Sequence, residues 1–220
     1  ETVGQIDPRF IHLQNVTVGD VLSFRISLQT PGRIDMAPTR EEGLKRLFGV
    51  FVCPTPAIRV YSDMNAMVIK YVIEAKTGLS LFDAIQTWIL SPAGMPETFA
   101  AVPKALRGRC VCYNYEHRIE GERQILRTSP PCGLPHDPKA LLLSDNGRDL
   151  CGHAGLFSSR KDMVRFAQAL LSGELIRRET LCEIGVNRTG FSHGDGTYRQ
   201  YLGYLCFAKH PLQRLSEVPH

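Results

Sequence analysis

A run of helices punctuated by glycine constrains the fold of this chain more than any other feature. Ala66, Ile69, Val72 and Ile73 recur at the spacing of one helix face, and Gly78 stands where a left-handed residue ends a helix. Ser80 then caps a second helix, with Asp83 at the capping-box position and a stripe of Leu81, Ile85, Trp88 and Ile89. A third helix opens at Ser159 to Asp162, and its stripe of Met163, Phe166, Ala167, Leu170 and Leu171 stops at Gly173. Between them, residues 97–150 show little periodicity and much Pro, Gly, Arg and Cys, and read as a long loop of the kind that often carries function. Residues 1–35 mix strand-like runs with one short helix boxed by Thr17 and Asp20, and Thr39 to Glu42 reads as another capping box. Tyr201 to Ala208 alternates as a strand does. This order predicts an α+β chain. A helical and loop-rich subdomain over about residues 36–185 dominates, and end segments contribute to a partial sheet, all within one incomplete domain over 1–220.

The 220 residues are 43% hydrophobic and 22% charged, ordinary values for a globular chain with a sizeable core. The net charge of +4 is scattered, and the densest basic stretch, Arg118 to Arg127, is interleaved with Glu120 and Glu122, so no nucleic-acid partner is expected. No apolar run approaches the roughly 20 residues of a membrane span. The chain opens at Glu1-Thr2-Val3-Gly4 without an initiator Met and reads as cut from something longer. Seven cysteines read as buried or free thiols. Cys110-Val-Cys112, with His117, Cys132 and His136, lacks the usual zinc spacing, so neither metal nor cofactor is expected.

Chemistry concentrates at Tyr61-Ser62-Asp63-Met64-Asn65, just ahead of the first long helix. A turn there can present a phenol and a carboxyl or amide group to one cleft, which is one corner of a serine-acylation site. A second block is His136-Asp137-Pro-Lys-Ala140 followed by Gly152-His153-Ala154-Gly155-Leu156-Phe157-Ser158-Ser159.

Taken in this order, the two blocks resemble the class C β-lactamase-related serine hydrolases, which include penicillin-binding proteins, D-Ala-D-Ala carboxypeptidases and esterases. The resemblance covers roughly residues 1–210 and implies a β-lactamase/transpeptidase-like fold. It also implies a Ser-x-x-Lys nucleophile, a Tyr-x-Asn/Asp second motif and a Lys/His-Thr/Ser-Gly third motif on a strand. Tyr61 matches the family's base or proton relay, and Asp63 the position that orients the lysine and the substrate amide. Asn65 is a weaker match, as a substrate contact or as a helix cap. His153, on its Gly-flanked loop, is expected either to line the pocket or to bond to backbone. Residues Asp20 to Ser27 stand where the family carries Leu-Leu-Thr-His-Thr-Ser-Gly, and the His and Gly are absent.

Two literal motif matches read otherwise. Ser158-Ser-Arg-Lys161 spells Ser-x-x-Lys but follows the Tyr motif, where Ser158 and Ser159 are better read as helix caps. Lys76-Thr77-Gly78 spells the third motif at the end of a helix, where Gly is a C-cap. His193-Gly-Asp reads as a turn. The resemblance thus implies a serine hydrolase that transfers an acyl group from an amide or ester through a serine acyl-enzyme, with its serine, lysine and third motif outside this chain, so that the chain alone is inactive. Its partner would be a small-molecule or peptide substrate, and no oligomeric state is implied. The alternative is a catalytically inactive homologue that binds peptide or cell-wall fragments. A regulatory thiol protein rests only on the cysteine count. The resemblance favours an exported or periplasmic location, while seven cysteines fit a reducing cytoplasm as well.

Overall fold

The computed structural model describes residues 1–54, 61–111, 116–120, 123–127, 132–144, 149–195 and 199–209. In chain order these form α1 (Val3–Ile6), α2 (Val18–Leu22), β1 (Leu28–Gln29), α3 (Arg40–Phe48), β2 (Phe51–Val52), α4 (Asp63–Thr77), α5 (Leu81–Ile85), β3 (Glu116–Glu120), β4 (Arg123–Arg127), α6 (Pro138–Leu143), α7 (Arg160–Ser172) and α8 (Arg178–Ile184). Short 3₁₀ turns fill Ile34–Met36 and Lys104–Arg109. Among the described residues the strands form two antiparallel pairs, β1 with β2 and β3 with β4.

Helix α4 is the spine. Its sequence predicts one buried face, yet every residue from Met64 to Val72 except Ala66 is buried, so its N-terminal half is covered nearly all round. On one side it packs on α1 and α2, in a core with Val3, Phe10, Leu13, Val21, Leu47 and Val50. On the other lies the segment that begins at Asp149. The helix ends as expected at Gly78, whose φ of 70° lets its N–H reach the Glu74 carbonyl.

The capping signals hold elsewhere too. Thr17 and Asp20 make a reciprocal capping box, Ser80 accepts from the Asp83 N–H, and Ser159 from the Asp162 N–H. At α3 only half of the expected box forms, with Thr39 accepting from the Glu42 N–H.

Patterns that depend on distant packing depart from expectation. Helix α5 runs into a π turn over Gln86–Leu90, which shifts the register of the stripe and leaves Trp88 exposed while Leu90 is buried. Residues 97–150 are not one loop; they contain the Lys104–Arg109 turn, the β3–β4 pair and α6. The Tyr201–Ala208 strand is replaced by a tight turn closed by the isolated bridge Leu202–Phe207. The apolar stripe of α7 forms in a helix of the expected length, but Met163 and Leu171 are exposed and only Asp162 and Ala169 are buried.

Candidate active site

The start of α4 sets two of the expected residues. Ser62 is the N-cap, its Oγ accepting from the Met64 N–H at 3.3 Å. Asp63 therefore takes the first helical position, where the positive end of the helix dipole favours a carboxylate. It opens onto a cleft of about 480 Å³ that also borders residues 28–30, 32–35 and Lys139. Tyr61, half-buried, is stacked between Phe24 and Phe207, with ring centroids 5.6 Å from each. Its backbone N–H donates to Gln200 Oε1 at 3.1 Å. The phenol ring is thus oriented by an aromatic stack beside the Asp63 cleft rather than on the cleft wall.

Asn65 corrects an expectation. It is fully buried, and its Nδ2 donates to the Val21 carbonyl at 2.7 Å, tying α4 to α2. It neither caps the helix, which Ser62 does, nor faces the cleft.

His153 reaches the site from the Gly-rich segment. Gly152 lies so close to α4 that a Cβ there would stand 2.7 Å from the Ala66 carbonyl oxygen, and its φ is +102°. Lys70 clamps the same segment from within α4: its Nζ, on a side chain only 4% exposed, lies 3.0 Å from both Glu74 and Asp149. Burial works against the Lys70 charge, but Tyr71, Glu74 and Asp149 outweigh it and raise the ammonium above the ordinary lysine range. Burial also pushes the neighbouring Cys151 thiol up to about 12, with Asp137 adding to the effect. So placed, His153 Nε2 lies 2.9 Å from Asp137 Oδ1, although neither ring nitrogen has a well-aligned hydrogen bond among the described residues. A carboxylate, not backbone, is its neighbour.

Asp137 is the N-cap of α6 and accepts from the backbone N–H groups of Lys139 and Ala140 at 2.9 and 3.0 Å. Pro138 at the first turn suits a helix start. Lys139 Nζ then lies 3.0 Å from Asp63 Oδ2 and 3.3 Å from Asp137 Oδ2. Burial opposes the charge on Asp137, yet His153, the Ala140 N–H and Lys139 together hold it well below the usual carboxylate range. Burial likewise opposes the Lys139 charge, and Asp63 with Asp137 overcomes it and raises the ammonium. A chain of close polar contacts therefore runs Asp63–Lys139–Asp137–His153, from the head of α4 through the head of α6 to the Gly-flanked segment. Ligand atoms of Asp63, Asp137 and His153 lie within 4.8 Å of one another, a set that could receive a cation; the Lys139 ammonium supplies the positive charge there.

Sequence reasoning does not single out Asp137 and Lys139 as site residues. The available signal is local: Asp-Pro ahead of Lys-Ala-Leu-Leu-Leu is a helix start, and a capped helix fixes where its second residue points.

The literal motif matches have structural roles. Ser158 Oγ pairs with Thr98 Oγ1 at 2.8 Å, next to buried Asp162, which accepts from the Glu97 N–H at 2.7 Å and from Thr98 Oγ1 at 2.9 Å. Thr77 Oγ1 donates to the Ile73 carbonyl at 2.8 Å, and Lys76 pairs with Glu1. His193 lies edge-on to Phe191. Cys112 lies outside the described residues, as does the side chain of His117. No helix among the described residues is long and apolar enough to cross a membrane.

The sequence matches the profile of the Beta-lactamase family over residues 9–213. It is 32% identical over 119 residues to a Salmonella paratyphi B protein whose assignment as a D-alanyl-D-alanine carboxypeptidase is provisional; the match spans 52% of this chain and 27% of that one. The fold is similar to FmtA from Staphylococcus aureus, with a TM-score of 0.64 at 15% identity, over 95% of this chain and 54% of that one. It is also similar to the D-amino acid amidase from Ochrobactrum anthropi SV3, with a TM-score of 0.60 at 20% identity, over 93% and 56% of the two chains.

Proposed function

The chain belongs to the β-lactamase family, and from that premise we propose that it is the helical, substrate-facing part of a serine hydrolase that cleaves amides through an acyl-enzyme. The observation that carries this reading is the Tyr61-Ser62-Asp63 turn, with Asp63 set at the head of α4 and open to the cleft. In this reading the nucleophilic serine, its lysine and the third motif are carried by polypeptide outside these 220 residues. The chain spans about a quarter of the curated relative it matches and about half of the solved structures.

The reaction is acyl transfer. The serine Oγ attacks the amide carbon and its proton passes to a base, the lysine or the Tyr61 phenolate. The C–N bond then breaks, and the amine leaves with that proton. Water adds to the acyl-serine, the ester bond breaks, and the acid is released with the serine hydroxyl restored. Asp63 faces the cleft as an acceptor for the substrate amide N–H. The carboxypeptidase relative and the amidase likeness favour an amide next to a D-amino acid as the substrate class.

The test uses the protein that carries its Ser-x-x-Lys, with a fluorescent β-lactam or fluorophosphonate as the acylating probe. Labelling is expected, and Tyr61→Phe is expected to slow it by roughly a hundredfold, the usual scale for loss of a general acid–base group. Labelling unaffected by Tyr61→Phe refutes the role of Tyr61. A Ser-x-x-Lys protein that is never labelled refutes the enzyme and leaves a binding module on the same fold.

A further inference from the structure

A carboxylate at the first position of a helix, 29% exposed as the Asp63 side chain is, can swing freely toward water unless another group fixes it. Among the described residues the charged partner of Asp63 is Lys139, whose Nζ lies 3.0 Å from Oδ2. Lys139 is itself well anchored. Asp137 holds its backbone N–H at 2.9 Å and its Nζ at 3.3 Å. The helix that carries it is pinned by fully buried Ala140, by Leu143, and by Arg40, whose Nε donates to the Leu143 carbonyl at 2.9 Å. Asp137 is fixed in turn by the α6 amides, with His153 Nε2 2.9 Å from its Oδ1. A fixed group on α6 thus holds Oδ2 of Asp63 at the border of the cleft.

We propose that Lys139 is a positioning residue for Asp63: its ammonium, gripped by Asp137, separates two carboxylates that would otherwise repel and aims Asp63 into the cleft. This rests on the acyl-transfer reading for its catalytic meaning, but not for its geometry. Lys139 is not the base of that reaction. Its ammonium is engaged by two carboxylates, so it has no lone pair to take a serine proton.

A double-mutant cycle tests the proposal in the protein that carries its Ser-x-x-Lys, with Lys139→Met, Lys139→Arg, Asp63→Asn and Asp63→Asn/Lys139→Met. Lys139→Met is expected to slow acylation by a fluorescent β-lactam by about tenfold, and Lys139→Arg to recover most of that loss. In the Asp63→Asn background the further loss from Lys139→Met is expected to fall below about twofold, because the group it positions is gone. An equal loss in both backgrounds, or no recovery with arginine, overturns the proposal. The urea midpoints of the same four proteins give a readout that needs no reaction. Lys139→Met is expected to lower the midpoint more when Asp63 is present than in the Asp63→Asn background, and equal shifts overturn the proposal. If the wild-type protein is not labelled at all, the acyl-transfer reading fails, and the unfolding cycle alone decides whether Lys139 holds Asp63.

Discussion

Replacing Gly152 by alanine should unseat the segment that carries His153, and its cost can be worked from two features. The first is conformational: φ at Gly152 is +102°, beyond the narrow left-handed region open to L residues. A left-handed conformation costs an L residue about 1–2 kcal/mol. The second is steric. The added Cβ would stand 2.7 Å from the Ala66 carbonyl oxygen and 3.1 Å from Lys70 Cβ, both on the spine helix. Backbone oxygen cannot turn aside as a side-chain end can, and overpacking of this kind adds about 1–3 kcal/mol. Alanine returns about 0.4–1 kcal/mol by restricting the unfolded chain. The sum is a loss of about 3 kcal/mol, more than a hundredfold in the folded ratio and a large part of the roughly 5–15 kcal/mol that holds a domain together. Gly78 supplies the control: its φ is +70°, and a methyl group added there would meet nothing within 4 Å. Gly78→Ala therefore carries only the conformational cost and should lose about 1 kcal/mol or less. Urea unfolding followed by circular dichroism reads the difference as a midpoint about 1 M lower for Gly152→Ala than for Gly78→Ala at unchanged slope. Midpoints that agree within about 0.3 M would refute the close approach of Gly152 to α4.

Two further outcomes follow from one buried and one half-buried polar group. Asn65→Ala removes the 2.7 Å bond to the Val21 carbonyl and leaves that acceptor only the longer bond from the Phe24 N–H at 3.4 Å, so thermal unfolding should show a loss of about 1 kcal/mol, and Asn65→Asp should recover none of it because an ionised carboxylate cannot donate. Asp137 is held below its unfolded pKa, so its contribution to stability is fully present above the ordinary carboxylate range and fades as pH falls below about 4; Asp137→Asn should flatten that acid limb of the stability profile, and an unchanged limb would refute the assignment.

What can be read from sequence is mostly local. Gly78, Ser80, Ser159 and the Thr17–Asp20 pair mark helix ends through bonds between residues three or four apart, so the sequence contains both partners close together. Tyr61 and Asp63 are legible for the same reason, as a motif within one turn. Lys139 is not, because its meeting with Asp63 joins residues 76 positions apart through the packing of α6 and α4 on a shared core. Asn65 resembles a site residue because it follows the motif, and only the packing of α2 shows that it faces inward. The stripe of α7 states which face is apolar, but what covers a face is a tertiary matter, and Leu171 remains exposed.

The position of Cys151 has a consequence for following the site in time. Its thiol is 3% exposed, lies next to Gly152, and is pushed up to about 12, so it has almost no thiolate while the segment is seated. An alkylating reagent can react with it only in the interval when the segment lifts from α4, whereas exposed Cys182 reacts without such a wait. The chain thus carries its own clock: the slow thiol counts openings of the wall that holds His153, and the fast one calibrates the reagent.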